Sequence, residues 1–191
     1  VIELGMNRPG EIGYLAPIGA PTVALVTNAQ RAHLEGMGDL DEVAREKGGI
    51  FAGLATDGIA VVNADDRYAG LWRTMAAPRR VRSFAIDRAA DVRGEVRQHG
   101  LETSLHLIAP EGEAAIALRV PGRHNARNAV AAAAACLAAG IPLAAVVAAE
   151  ADMEAAAHPD VGLGGAGRRI GGAPPLDHFF RDGPGFVDFF R

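Results

Sequence analysis

Four short apolar runs in the first half of the chain have the pattern of buried β-strands: Val1–Gly5, Thr22–Thr27, Gly58–Val62 and Val81–Ile86. The second and third runs are continuously apolar rather than alternating, which indicates strands that are covered on both faces. Segments with helical character separate the runs, including one at about Tyr68–Met75. We therefore predict an α/β fold with a mostly parallel sheet flanked by helices.

A short amphipathic helix is predicted between the second and third strands. Asp39 is a suitable N-cap, and Glu42 follows three positions later, as in a capping box. One lysine, Lys47, stands on the apolar face that extends from Leu40 to Phe51. Its amine can reach the solvent, which is the commonest outcome for a lone lysine. Alternatively, it can lose its charge through a lowered pKa, or react with CO2 to give a carbamate, an anionic oxygen ligand suited to Mg2+.

The pattern changes after residue 90. Asp91–Gln98, Leu101–Ile108 and Ala114–Val120 alternate between polar and apolar residues, which predicts a small antiparallel three-stranded sheet with one solvated face. Two alanine-rich helices follow, separated at Gly140 and Pro142. The uncharged span that contains both is long enough to cross a bilayer, but the break divides it. We therefore predict two buried helices and no membrane span.

Composition narrows the class of protein. Charged residues make up 22% and hydrophobic residues 49% of the 191 residues, which is enough for one packed domain. The net charge is −4 without a basic block, so nucleic-acid binding is not expected. The single cysteine, Cys136, fits a reducing cytosol and is most simply a small core residue. The chain begins as if inside a strand and has no signal peptide, so we expect an N-terminally truncated protein.

Other polar residues stand where a ligand could bind. Glu3 ends the first strand and His33 lies in a loop after the second; alone, each is as well explained as a strand-end acid or a turn residue. Together with a carbamate at Lys47 they would form a hard metal site for phosphate chemistry. Asn63–Asp66 closes the third strand, at the sheet edge where ligands gather. Asn125 either caps a helix or presents its amide to the edge of a base.

Five ordered motifs resemble the central domain of the Mur ligases. They are ELGMNRPGEI at Glu3–Ile12, AHLEG at Ala32–Gly36, EKGGIF at Glu46–Phe51, NADD at Asn63–Asp66 and GRHNARNAVAA at Gly122–Ala132. The resemblance covers about residues 1–150. The first two motifs are most similar to the branch of the family that adds D-alanyl-D-alanine.

This resemblance implies a fold and an activity. The fold is a P-loop-type α/β domain with a mostly parallel sheet, helices on both faces and a small antiparallel sheet. The activity is that of an ATP-dependent amide ligase of peptidoglycan synthesis in the bacterial cytoplasm. ATP phosphorylates a carboxylate of UDP-N-acetylmuramoyl-tripeptide, and the amine of D-alanyl-D-alanine attacks the acyl phosphate. A monomer is expected.

The resemblance also assigns residues to two ligands. The Mg2+ site would take its ligands from Glu3, His33 and a carbamoylated Lys47. The carbamate reverses the sign of the lysine, so that it binds the metal that offsets the charge of ATP and the acyl phosphate. The adenine of ATP would be contacted by His124, Asn125 and Asn128.

The chain departs from the family pattern in three places. It contains no GxxxxGK[ST] phosphate-cradling loop, which in the family precedes the strand at Val1. The second glycine of EKGGIF stands where these ligases often have glutamate. The expected run into a C-terminal domain is not found after about Glu150. We therefore expect a partial central domain in residues 1–150, inactive alone, and interpret residues 151–191 as an irregular tail rich in glycine and phenylalanine, of foreign or frame-shifted origin.

Two other functions remain open. A noncatalytic α/β nucleotide-binding or interaction module would explain the missing phosphate loop, whereas Glu3, His33 and Lys47 together favour a ligase ancestry. An NAD-binding protein that uses Gly162–Gly167 is not favoured. That GxGxxG match follows no predicted strand and opens no predicted helix, so we interpret it as a glycine-rich loop.

Overall fold

The computed structural model describes residues 1–29, 38–99, 102–118, 122–156 and 187–190. Its strands are β1 Ile2–Leu4, β2 Val23–Val26, β3 Ile59–Asn63, β4 Arg80–Ala85, β5 Val92–His99, β6 Glu102–Ala109, β7 Gly112–Leu118 and β8 Val187–Phe190. Its α-helices are α1 Glu11–Gly19, α2 Leu40–Gly48, α3 Ala69–Ala76, α4 Arg123–Ala138 and α5 Leu143–Ala156. A 3-10 helix at Gly49–Gly53 continues α2.

All of these strands join one sheet in the order β1-β8-β2-β3-β4-β5-β6-β7. Neighbouring strands from β2 to β5 are parallel. Because β8 is antiparallel to both β1 and β2, these two strands also point the same way. Only β6 and β8 of the described strands run in the opposite direction. The prediction of a mostly parallel α/β sheet is therefore confirmed.

The predicted meander is present, but not as a separate sheet. Strands β5, β6 and β7 pair antiparallel, as expected. However, Phe84 and Ala85 at the end of β4 pair with Val92 and Arg93 of β5, which makes the meander one edge of the main sheet. The three predicted antiparallel strands are therefore confirmed, but they continue the main sheet instead of forming a sheet of their own. The backbone groups at the end of β4 find partners in β5, and such pairing between strands leaves no signal in the local alternation of residues.

Residues of the central strands alternate between two hydrophobic cores. Val23 and Leu25 of β2 face the core that contains α4. Ala24 and Val26 face the opposite core, which contains residues of α1, α2 and α3. The prediction of strands covered on both faces is confirmed, and the two-sided burial explains why these runs do not alternate.

The helices predicted from the sequence are present, and their ends differ from the predicted ends by a few residues. The Asp39 side chain accepts a hydrogen bond from the Glu42 N–H at 2.8 Å, so the predicted N-cap is confirmed. The α-helical part of this segment ends at Gly48 instead of Phe51, and the 3-10 helix carries the remainder. Cys136 is a buried core residue, as predicted. No helix among the described residues is long and apolar enough to cross a membrane.

The region after residue 150 is more regular than its sequence pattern suggested. Helix α5 continues to Ala156, and Val187–Phe190 forms β8 between β1 and β2. The expectation of an irregular tail is wrong for these two segments. A strand of only four residues forms here because its backbone groups pair with two neighbouring strands. Such pairing cannot be recognised from local periodicity. Residues 157–186, including the predicted loop Gly162–Gly167, lie outside the described part.

Candidate functional site

The carboxyl ends of three neighbouring parallel strands meet the beginning of α4 at a polar cavity. Its volume is about 330 Å³, and its lining consists of Asn28, Asn63, Asp65, Asp66, Asp87, Arg88 and Arg127. Asn28 follows β2, the two aspartates at 65 and 66 follow β3, and Asp87 follows β4. This is the edge of a parallel sheet at which ligands usually bind.

The NADD motif ties the end of β3 to the end of β2. The Asn63 amide donates to the Thr27 carbonyl at 2.7 Å, while its Oδ1 accepts from the Asp65 N–H at 2.9 Å. The Asp66 carboxylate accepts from the Ala29 N–H at 3.0 Å and from the Tyr68 N–H at 2.9 Å. The motif therefore shapes the wall of the cavity through hydrogen bonds to the backbone.

Lys47 is buried directly behind this wall. Only 1% of the residue is exposed, and its Nζ donates to the Asn28 carbonyl at 2.8 Å. The interpretation in which its amine reaches solvent is therefore wrong. Burial lowers the pKa of Lys47 from its ordinary 10.5 to about 8, while the Asp66 carboxylate opposes the shift. About a tenth of the amine is then uncharged at pH 7, which is the form that reacts with CO2.

Two buried polar atoms at the cavity have no hydrogen-bond partner among the described residues. They are Asn28 Oδ1, an acceptor, and Arg127 Nε, a donor. Such atoms are rare in folded proteins, and a polar ligand in the cavity would satisfy both. The sequence reasoning missed these two residues. The available signals were the position of Asn28 directly after a strand and that of Arg127 inside the GRHNARN motif.

The predicted adenine-binding residues lie on the first two turns of α4. His124 is exposed, whereas Asn125 and Asn128 are half-buried. The N-cap of this helix is Gly122, at a φ of 115°, and no side chain caps it. The interpretation of Asn125 as the cap is therefore wrong. A Cβ on Gly122 would approach the His124 ring to 3.1 Å, so glycine allows the imidazole to lie over the start of the helix.

The predicted metal ligands are only partly tested by the structure. Glu3 lies in the middle of β1, opposite Asp188, and is not among the residues that line the cavity. Strand β8 separates β1 from the strands that end there. His33 lies outside the described residues. Within the described ranges, no three histidine, cysteine, aspartate or glutamate side chains lie close enough together to hold a metal ion.

Lys47 is the described residue through which the site would gain a ligand for a hard cation. A carbamate there would add an anionic oxygen ligand, and the Asn28 carbonyl adjoins the amine. The carboxylates of Asp65 and Asp66 contribute less, because backbone N–H groups already occupy them. The site thus suits Mg2+ if further ligands join the carbamate.

Comparison with known proteins agrees with this geometry. Residues 1–136 match the family model of the Mur ligase middle domain. The UDP-N-acetylmuramoyl-tripeptide–D-alanyl-D-alanine ligase of Escherichia coli (strain K12) is 42% identical over 159 residues, which are 81% of this chain and 35% of that enzyme. MurF from Acinetobacter baumannii is 33% identical with a TM-score of 0.72, over 76% of this chain and 32% of that chain.

A more distant solved structure shares the fold. The MurF ligase of Thermotoga maritima, in complex with ADP, is 22% identical with a TM-score of 0.59, over 70% of this chain and 31% of that one. This chain therefore spans about a third of the length of the relatives it matches. The resemblance seen in the five motifs is confirmed, and the chain belongs to the Mur ligase family, to whose middle domain residues 1–136 correspond.

Proposed function

We propose that this chain is the nucleotide-binding part of an ATP-dependent amide ligase that adds D-alanyl-D-alanine to UDP-N-acetylmuramoyl-tripeptide in peptidoglycan synthesis. The support is the 42% identity to a ligase whose name states this reaction. The structural observation that carries the proposal is Lys47, a buried amine with a lowered pKa against the wall of a polar cavity. We expect the domain to be monomeric.

Lys47 acts in this proposal as a carbamate. Its uncharged Nζ attacks CO2, a C–N bond forms, and one N–H proton leaves to solvent, so the positive side chain becomes negative. Glu3, His33 and this carbamate are the proposed ligands of Mg2+. When bound, Mg2+ would offset the negative charge of the ATP phosphates and of the acyl phosphate.

The adenine of ATP is proposed to contact His124, Asn125 and Asn128. The half-buried amides of both asparagines stand on the turns of α4 that carry Arg127, whose guanidinium lines the cavity. Amide groups offer the paired donor and acceptor that the edge of a purine needs. The ADP in the Thermotoga maritima relative supports a nucleotide on this fold.

Lysine carbamoylation can be tested directly because Lys47 is the only lysine in the sequence. In 13C-bicarbonate, the NMR spectrum of the chain should show a lysine carbamate carbon at pH 8 that disappears in Lys47→Arg. The terminal amine remains in both proteins and serves as the internal control. A spectrum that is identical in the two proteins would refute the carbamate.

Nucleotide binding and turnover form the test of function. Calorimetric titration with ADP should detect binding, and Asn125→Ala with Asn128→Ala should weaken it at least tenfold. With ATP, UDP-N-acetylmuramoyl-tripeptide and D-alanyl-D-alanine, we expect no phosphate release, because the sequence contains no GxxxxGK[ST] loop. ADP binding without turnover also fits a noncatalytic nucleotide-binding module, which the missing loop favours. Turnover would overturn the expectation that the chain alone is inactive.

A further inference from the structure

We propose that Asp65 is a positioning residue of the nucleotide site. Its carboxylate fixes the segment after β4 and the first turns of α4 relative to each other, and thereby sets the positions of Asn125 and Asn128. The inference rests on the proposed function for its effect on binding. The other half of the inference, that Asp65 fixes the position of α4, is supported by observed contacts and does not depend on the proposed function.

Three successive backbone amides converge on this one carboxylate. Asp65 accepts from the Ile86 N–H at 2.8 Å, the Asp87 N–H at 3.1 Å and the Arg88 N–H at 2.9 Å. Its side chain is only 7% exposed. Consecutive N–H groups that point to one place form an anion-binding nest, and here an internal carboxylate fills it. Without that carboxylate, three backbone donors near the cavity would lose their partner.

The Asp65 carboxylate reaches α4 through Arg127, and the neighbouring Asp87 carboxylate reaches it through Arg127 and Arg123. Arg127 Nε lies 3.8 Å from Asp65 Oδ2, and Arg127 Nη2 lies 3.6 Å from Asp87 Oδ2. Arg123, one turn earlier on α4, donates to the other oxygen of Asp87. These two arginines flank Asn125 in sequence, and Arg127 directly precedes Asn128. The start of the helix is thus held by charges that Asp65 and Asp87 present together.

Other features of α4 explain why its beginning needs this attachment. The body of the helix is buried against the sheet through Ala129–Leu137. Its first turn has no capping side chain, and Arg123 and His124 are exposed. Packing, which includes the fully buried Ala126, locates the inner face of the helix, whereas the ionic contacts of Arg123 and Arg127 hold the outer side of its first two turns. Because three backbone amides already occupy the Asp65 oxygens, we assign Asp65 no direct contact with the nucleotide.

The test compares Asp65→Ala with wild type and with Asp66→Asn. Asp66 is the adjacent carboxylate, which binds the Ala29 and Tyr68 amides instead. In Asp65→Ala, amide hydrogen exchange should accelerate at least tenfold at residues 86–88 and 122–128, and ADP affinity should fall about tenfold. Formate should restore both, because it can refill the nest as an anion, whereas formamide should not. Asp66→Asn should leave exchange at residues 86–88 unchanged.

The results of these measurements decide whether Asp65 positions α4 and whether that position affects ADP binding. Unchanged exchange at residues 122–128 in Asp65→Ala overturns the inference, and so does faster exchange there with unchanged ADP affinity. If Asp65→Ala does not fold, Asp65→Asn keeps one acceptor oxygen and is read in the same way. If wild type does not bind ADP, the proposed function fails. Exchange and its response to formate then still decide whether Asp65 holds α4.

Discussion

At the scale of single residues, the unusual feature of this domain is a buried amine. Lys47 was placed on a buried face by helical spacing alone, and it is indeed buried. Its hydrogen bond to the Asn28 carbonyl does not replace the hydration that a charged ammonium loses. The pKa of Lys47 is lowered as a result. The protonated, charged form of this side chain therefore opposes folding.

This residue should make stability depend on pH in the alkaline range. The pKa of Lys47 is about 8 in the folded chain and 10.5 as its ordinary value. Between these values the unfolded chain binds more protons, so stability rises with pH, by roughly 3 kcal/mol for such a shift. Urea unfolding in CO2-free buffer should therefore show wild type gaining this amount relative to Lys47→Met from pH 7 to 10.5. A difference between the two proteins that is constant with pH would exclude the shift.

Residue positions were predictable where local spacing determines them. The burial of Lys47 and the Asp39 cap follow from helical geometry and needed no tertiary information. By contrast, Asp65 is partnered by amides more than twenty positions away. The sequence placed it at the correct edge of the sheet but indicated a binding role, whereas its oxygens are occupied internally.

At the scale of elements, α1 and the 3-10 helix approach each other at a glycine. A Cβ on Gly53 would lie 2.4 Å from the carbonyl carbon of Ala16, which is backbone and cannot turn aside. Gly13 of the same helix α1 has nothing within 4 Å of its Cβ position. The two glycines therefore differ in what an added methyl group would meet.

Alanine substitutions at these glycines should have opposite effects. Gly53→Ala should lower the free energy of unfolding by about 2 kcal/mol or more, because it separates two elements of the core. Gly13→Ala should be neutral or stabilising by up to about 1 kcal/mol, because alanine favours helix. Urea denaturation measures both. Equal effects would mean that the close approach of the two helices is not maintained in solution.

The elements themselves were largely predictable, and their contacts were not. Strand and helix periodicity located the central strands and α2 to α4 to within a few residues. The 3-10 continuation at Gly49–Gly53 and the attachment of β5 to β4 depend on what each segment packs against. Such tertiary contacts outweigh local propensity and leave no periodic signal.

At the scale of the molecule, two residues that can report on unfolding lie on opposite sides of the sheet. Trp72 is fully buried with the α1–α3 side and donates its indole N–H to the Ala44 carbonyl at 2.8 Å. Cys136 is buried in α4 on the other side. Each is the only residue of its type in the chain. The central strands contribute to both cores, so the two sides should unfold together.

Tryptophan fluorescence and thiol reactivity should therefore give the same urea midpoint. Leu25→Ala on the α4 side should lower both midpoints equally, with a loss of about 2–5 kcal/mol. Val62→Ala, on the α1–α3 side, should also lower both, by a smaller amount. Two separate transitions, or a mutation that moves only the probe on its own side, would show that the two cores are independent.

Long-range strand pairing marks the limit of sequence reasoning at this scale. The α/β class followed from the apolar strand pattern, and the Mur ligase family followed from the ordered motifs. The position of β8 between β1 and β2 did not, because it pairs segments that are far apart in the sequence. For the same reason, the edge position of Glu3 was not foreseen.

The pairing of Ile2 with Phe189 has a consequence during translation. In the sheet as described, β1 has hydrogen-bonded contact only with β8, so its partner does not exist until the ribosome has reached residue 190. At usual elongation rates this takes on the order of ten to forty seconds. Until then, the edges of β1 and β2 that pair with β8 have no partner among the described strands. Because unpaired strand edges can pair with other chains, this interval exposes the domain to aggregation.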